Sequence, residues 1–345
     1  MSKPQQETGT VGKAIVAVGD GVVEIQDISV RPLGEWDIRV QLERSAISVG
    51  TESHIVGKLA IANNPMIPGY APVARIEAIG TEAATLFSTG DRVSYFCPAA
   101  PLNIPGNCCG GHQSPALLNV NPETRDLLGA DQYCIKVPDD LSSEKAAFGG
   151  ISAVSSMGAS MPGTLPGDKV LVLGQGLIGQ FAAQHFRLRG AEVAVSDIDD
   201  KRLQISAACG ADHLIHAAQQ ETASVLREIW PDGADIIADT TGSHRVIESS
   251  LPAIKRRGRY VFLGWCKGAD FAIERLQAQT IFQAFFPWTL EGPHVQHSWR
   301  MMQQGGLKTD PLITHRAHFS EAPGIYEMMQ QSPENHLGIV LNWDQ

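Results

Sequence analysis

Three glycines and an aspartate carry the clearest chemistry in this chain. Gly174, Gly176 and Gly179 follow the apolar run Lys169–Leu173 as Gly-x-Gly-x-x-Gly, and Asp197 stands about twenty residues further on. The run is short and rich in β-branched and aliphatic residues, as a buried parallel strand should be. Gly174 permits a tight turn, Gly176 lets the backbone approach a pyrophosphate, and Gly179 allows a helix to pack closely on the strand. The first amides of that helix, with Leu177 and Ile178, offer free N–H donors and a positive dipole end to phosphate. A carboxylate at Asp197, closing a second strand, accepts hydrogen bonds from ribose hydroxyls and repels a 2′-phosphate, which favours NAD over NADP. Asp199 and Asp200 add negative charge there, and Lys201 and Arg202 soften it. Asp197 also suits a helix cap for the segment that follows.

These residues need a fold to hold them. At 345 residues the chain can bury the cores of two domains. Its 43% hydrophobic and 19% charged content is that of an ordinary globular protein. A net charge of −10 with no basic run excludes nucleic acid and anionic membranes as expected partners. Lys255, Arg256 and Arg257 form the densest basic spot and are expected at an exposed helix end before Gly258. No apolar run has the length of a bilayer span and the amino-terminal residues lack a signal-peptide core, so a cytoplasmic location with reduced cysteines is the expectation.

Residues 13–138 alternate short β-patterned runs with Gly and Pro, which indicates a barrel-like β unit. A helix start is expected near Ser142 or Ser143, and a small-residue helix over 151–161. Strand-like runs then alternate with helix-length segments, the βαβ signature of a parallel sheet. The terminal strand-like run GIVLNW is assigned back to the β unit, giving domains 1–149 with 292–345 and 150–291. Residues 98–123, rich in Pro, Asn and Gly, read as a long functional loop.

The chain resembles the medium-chain dehydrogenase/reductase family. The segments Gly90-Asp91-Arg92-Val93, Pro166-Gly167-Asp168-Lys169-Val170 and Asp239-Thr240-Thr241-Gly242, with the glycine fingerprint, carry the likeness over nearly its whole length. The resemblance implies an α/β protein: a GroES-like β-barrel catalytic domain plus a Rossmann doubly wound parallel sheet. It implies a nicotinamide in the cleft between domains, near Thr241, Gly242, Leu263 and Gly264. It also implies a homodimer or homotetramer acting on a small alcohol or ketone.

Zinc-dependent members carry a Cys-Gly-x-Asp-x-x-His type segment, where this chain has Val49-Gly50-Thr51-Glu52-Ser53-His54. The family's Gly-His-Glu is Gly69-Tyr70-Ala71 here, and no Cys or Asp falls at 150–152. With no family ligand retained, no catalytic zinc is expected. Cys97, Cys108, Cys109 and His112 lack the regular spacing of a structural zinc site, so buried or idle thiols are expected there, with a metal held in that loop as the alternative. Thr51 and His54 match the hydroxyl and imidazole that pass the substrate proton to solvent in zinc-dependent relatives. Tyr70 replaces a ligand that points into the cleft. A phenol with a hydroxyl–imidazole relay is the expected substitute for metal, with Tyr70 also suited to a core and Thr51 to an N-cap. The segments SAISVGTESH, IPGYAPVARI and LGIVLNW are similar to the zinc-free branch that includes the hydroxyethyl bacteriochlorophyllide dehydrogenases. Phe282, Phe285, Phe286 and Trp288 suit an interface or core. An NAD-dependent, zinc-independent alcohol dehydrogenase is the leading expectation. An NADPH-dependent enoyl or quinone reductase and a non-catalytic nucleotide sensor are the alternatives.

Overall fold

The computed structural model describes residues 9–104, 106–107, 109–123, 133–265, 282–287, 291–332 and 335–344. They fall into two units, Met1–Gly150 with Leu290–Gly292 and Ile313–Gln345, and Ile151–Thr289 with Pro293–Leu312.

The first unit is the GroES-like β domain. Its hub is the strand Asp37–Ser48, which pairs antiparallel with Pro72–Ile79, Ala116–Asn119 and Gly338–Asn342. Period-two alternation sends Ile38, Val40 and Leu42 into a core shared with Ile15, Tyr95, Tyr326, Ile339 and Leu341. A second sheet is built on Thr10–Gly19, paired with Val22–Val30, Met66–Ile67 and Gln113–Ser114. The hub strand runs straight into the short helix Val49–His54. The candidate proton-handling residues therefore stand at the end of the most heavily paired strand in the unit.

The second unit is a Rossmann fold. Six parallel strands lie in the order His213–His216, Glu192–Asp197, Lys169–Leu173, Ala234–Asp239, Ile254–Phe262, Gln283–Phe285. Numbered along the chain this is 3-2-1-4-5-6, the doubly wound dinucleotide order, and the strand order reverses beside Lys169–Leu173. Leu171, Leu173 and Ile237 face one apolar layer, and Val170, Val172 and Ile236 face the other. Among the described residues, no helix is long and apolar enough to cross a membrane.

The structure corrects several local expectations. Residues 293–312 cluster with the Rossmann unit, not with the β domain. The helix Gly292–Gln303 buries Val295, Ser298 and Trp299, Ser152 Oγ donates to Ser298 Oγ at 3.0 Å, and Lys308 N–H donates to Gln184 Oε1 at 2.7 Å. One helix, Ser143–Ser160, replaces two separate starts, and Ser142 Oγ accepts the Lys145 N–H at 3.3 Å as its cap. Lys255, Arg256 and Arg257 lie exposed in the strand Ile254–Phe262 and not at a helix end. The stretch 98–123 is not a free loop, since Gln113–Ser114 and Ala116–Asn119 are woven into both sheets of the β domain.

Candidate functional site

In the Rossmann unit the three glycines have different reasons to be glycine. Gly174 has φ +83°, and a Cβ there would meet Thr241 Cγ2 at 2.8 Å. A Cβ on Gly179 would stand 1.9 Å from the Gly174 carbonyl oxygen. At Gly176, by contrast, a Cβ would meet nothing within 4 Å. The fold itself thus demands Gly174 and Gly179, while Gly176 opens a bare backbone surface at the N-terminus of the helix Leu177–Leu188. Its N-cap, Gly176, brings no side chain to that terminus, so the N–H donors there suit the pyrophosphate of a dinucleotide.

Asp197 is buried, and its two oxygens accept the N–H groups of Gln175 at 2.5 Å and Asp199 at 2.9 Å. It ties the glycine turn to the end of the second strand, and a carboxylate has acceptor capacity left for ribose hydroxyls. The helix cap is Asp199, which accepts the Arg202 N–H at 3.0 Å, so the capping role considered for Asp197 falls to its neighbour. Arg202 is half-buried, with its carbonyl accepting from Gln180 Nε2 at 2.9 Å. Across the turn, buried Asp239 accepts the Thr241 hydroxyl at 2.6 Å and the Gly242 N–H at 3.0 Å. Its carbonyl accepts the N–H groups of Leu263 at 2.8 Å and Gly264 at 2.9 Å. The structure thereby brings together, at the carboxyl ends of adjacent strands, every cofactor residue expected from sequence.

In the β domain, Tyr70 is 5% exposed and its hydroxyl donates to Ser48 Oγ at 2.8 Å. Ser48 Oγ in turn donates to Thr51 Oγ1 at 3.4 Å. Burial pushes the Tyr70 phenol above its ordinary range; the hydrogen bonds to Ser48 and Thr51 pull it partly back, and the charge of Glu52 pushes it up. The phenol therefore stays protonated at neutral pH. Thr51 is half-buried inside the helix and not its N-cap, which is Ser48. His54 is half-buried at the end of the same helix, three residues beyond Thr51.

Ser48 and Glu52 are site residues that sequence reasoning missed. Glu52 is fully buried, and its Oε1 accepts the Ser48 N–H at 2.9 Å. Its Oε2 accepts from the Tyr326 hydroxyl and from His112 Nε2, the latter at 3.0 Å. His112 Nδ1 meets Ser45 Oγ at 2.9 Å, and Ser45 Oγ accepts from Trp343 Nε1 at 2.8 Å. His112 is thus neither idle nor a loop ligand, because both ring nitrogens are engaged inside the core. The one available signal was a carboxylate in the middle of a segment flanked by buried strands, which must find donors.

The positions that the resemblance implies for metal ligands, Val49, Tyr70 and 150–152, carry no His, Cys, Asp or Glu side chain. Val49 packs on the core, Tyr70 donates to Ser48, and a Cβ on Gly150 would meet the Tyr70 carbonyl oxygen at 2.9 Å. Among the described residues, no three His, Cys, Asp or Glu side chains are grouped to hold a metal ion. Cys97 and Cys109 are half-buried with positive φ, and Cys108 lies outside the described residues. Of the aromatic set, Phe286 is 64% exposed and stacks on Phe262 at 4.8 Å, and Phe285 is half-buried in the strand Gln283–Phe285. Phe282 is half-buried against the Rossmann core, and Trp288 lies outside the described residues.

Known proteins share this fold. Residues 178–305 match the family model described as zinc-binding dehydrogenase, a span that excludes positions 49, 70 and 150. The L-threonine 3-dehydrogenase of Pectobacterium atrosepticum is 28% identical over 345 residues, covering 93% of this chain and 91% of that protein. A Sinorhizobium meliloti structure bound to NADP aligns with TM-score 0.79 at 18% identity, covering 96% of this chain and 99% of the other. An Escherichia coli alcohol dehydrogenase complexed with NADH aligns with TM-score 0.79 at 18% identity, covering 97% and 100%.

Proposed function

We propose, from the premise that this chain is an oxidoreductase of the medium-chain dehydrogenase type, that it moves a hydride between NAD(H) and a secondary alcohol or its ketone without a catalytic zinc. The observation that carries this reading is the Tyr70–Ser48–Thr51 hydroxyl chain, whose Tyr70 occupies a position where the resemblance would place a metal ligand. Bound NAD supplies the hydride acceptor. The protein's own task is the proton. An alcohol O–H gives its proton to the Tyr70 oxygen, Tyr70 passes its own to Ser48, and Ser48 passes its own to Thr51. Thr51 releases its own proton outward, and we assign His54, three residues on in the same helix, as the acceptor. Because each hydroxyl gives one proton and receives one, no phenolate need accumulate. Such acid–base help is worth roughly 10²–10⁴-fold. Run backwards, the chain returns a proton to a ketone oxygen as hydride arrives at carbon.

NAD is preferred over NADP in this reading because the buried Asp197 carboxylate at the strand end opposes a 2′-phosphate. A homo-oligomer fits it too, the strand Gln283–Phe285 and the exposed Phe286 ring forming one sheet edge. The substrate to assay first is L-threonine, named in the relatives, beside a panel of other secondary alcohols. The test is NADH formation by chelator-treated protein of known metal content. Turnover that survives chelation supports the proposal. Stoichiometric zinc needed for activity would overturn the zinc-free mechanism, and NADPH-driven reduction of enones would favour a reductase.

A further inference from the structure

We infer that Glu52 is a positioning residue, whose carboxylate is the fixed point that holds Ser48 between Tyr70 and Thr51. The inference rests on the hydroxyl relay proposed above and assigns it the device that keeps it in register.

The geometry has two parts. Ser48 is the N-cap of the helix Val49–His54, yet its side chain makes no capping hydrogen bond. An N-cap serine ordinarily spends its hydroxyl on an amide two or three residues on. Here Glu52 Oε1 takes the Ser48 backbone N–H at 2.9 Å, which anchors the residue through its main chain and leaves the hydroxyl for Tyr70 and Thr51. A capping-box acid makes the same backward reach, usually from one position earlier.

The second part is what anchors Glu52. A fully buried carboxylate needs several donors to be tolerated. The polar chain behind it supplies them in one direction. Trp343 Nε1–H donates to Ser45 Oγ, and we assign the Ser45 hydroxyl as donor to His112 Nδ1, 2.9 Å away. That tautomer of His112 carries its proton on Nε2 and donates it to Glu52 Oε2, where the Tyr326 hydroxyl also donates. Every bond points toward the carboxylate, so Glu52 is held by the loop bearing His112, the helix Ala322–Gln331 and the hub strand at once. Gly69, adjacent to Tyr70, closes on the same group: its φ is +91° and its Cβ position lies 2.5 Å from His112 Cδ2. Backbone next to the phenol and side chain behind the carboxylate are thus packed as one body.

The experiment is a double-mutant cycle in the NAD-loaded full-length protein, pairing Glu52→Gln with Tyr70→Phe. Glutamine keeps the size but turns an N–H₂ toward the donors that the carboxylate accepts. The expected result is that each single variant lowers kcat by roughly 10²-fold with KM little changed, and that the double variant falls little further. Additive losses, or a loss confined to KM, would overturn the inference. Tyr326→Phe serves if Glu52→Gln does not fold, because it removes one donor and keeps the ring; its smaller loss must also vanish in the Tyr70→Phe background. A second readout is independent of turnover. The chain has five tyrosines, so ring-carbon labelling with Tyr70→Phe as the assignment gives a resolvable Tyr70 signal. That signal should move in Glu52→Gln or Tyr326→Phe. An unmoved signal refutes the positioning role even if the protein proves to oxidise no alcohol. A moved signal without turnover of any alcohol instead refutes the proposed reaction and leaves the coupling standing.

Discussion

Gly69 and His112 approach so closely that the α-carbon of one leaves no room for a side chain beside the ring of the other: a Cβ on Gly69 would lie 2.5 Å from His112 Cδ2. Gly69→Ala must therefore move a buried imidazole and adopt a φ of +91°. Strain and overpacking of this kind cost about 2–5 kcal/mol together. Chemical denaturation should show the loss, and turnover should fall with it because His112 supports Glu52.

Tyr70→Phe separates chemistry from stability. The variant loses one hydrogen bond to Ser48, a cost of about 1 kcal/mol, while the ring still fills the core. Turnover should drop roughly 10²-fold with NAD affinity unchanged. Steady-state kinetics beside a cofactor titration checks both halves, and undiminished turnover would remove the phenol from the mechanism.

Two glycine substitutions in one turn should behave oppositely. Gly176→Ala meets nothing within 4 Å, so its melting temperature should match the parent while NAD binding weakens by tenfold or more, about 1.4 kcal/mol. Gly179→Ala drives a methyl to 1.9 Å from the Gly174 carbonyl and should unfold far more readily even without cofactor. Thermal melts with and without NAD distinguish the two.

Asp197→Ser shortens the group that ties the Gln175 and Asp199 amides. NAD affinity should fall roughly 10–100-fold and NADP affinity fall less, narrowing the ratio. Calorimetric titration with both dinucleotides measures it. A parent that already prefers NADP would contradict the assignment of this carboxylate.

His185 sets an acid limit on the Rossmann unit. It is buried, hydrogen-bonded to Ser152 at 2.8 Å, and held neutral: burial first, then the nearby His297, Arg189 and His294, push its pKa from 6.5 to about 3. Above pH 6.5 both folded and unfolded chains carry it neutral, and its contribution is complete. As pH falls from 6.5 toward 3 the unfolded chain takes up a proton that the folded one refuses, so stability declines by up to about 1.4 kcal/mol per pH unit. Denaturant midpoints at several pH values should show this slope, and His185→Gln should flatten it.

What could be read in the sequence was what is local. The turn at Gly174–Gly179 announces itself because a tight turn, a bare backbone and a close packing each demand glycine within six residues. Tyr70 was visible as a substitution at a motif position, and the capping aspartate was misplaced by only two residues, from Asp197 to Asp199. The support behind Tyr70 was not legible. Glu52 meets His112 across 60 residues and Tyr326 across 274, and Ser45 meets Trp343 across 298, so no window of sequence holds both partners. Residues 293–312 were misassigned for a related reason. Val295 and Trp299 mark a buried helix face but not which domain buries it, and the bonds that tie it to the Rossmann unit, a serine pair and a glutamine–amide bond, leave no periodic mark.

The path of the chain through the β domain has a consequence for biosynthesis. The hub strand Asp37–Ser48 is made early, but its partner Gly338–Asn342 and the donors Tyr326 and Trp343 follow only after the whole Rossmann unit. A nascent polypeptide therefore completes its dinucleotide-binding turn while Glu52 still lacks a donor and one edge of the hub strand is open. A chain interrupted between residues 312 and 326 holds the whole Rossmann unit but lacks Tyr326, Trp343 and the strand partner Gly338–Asn342. On the reading proposed above, the turn for the cofactor and the support of the hydroxyl chain are completed at different moments of translation.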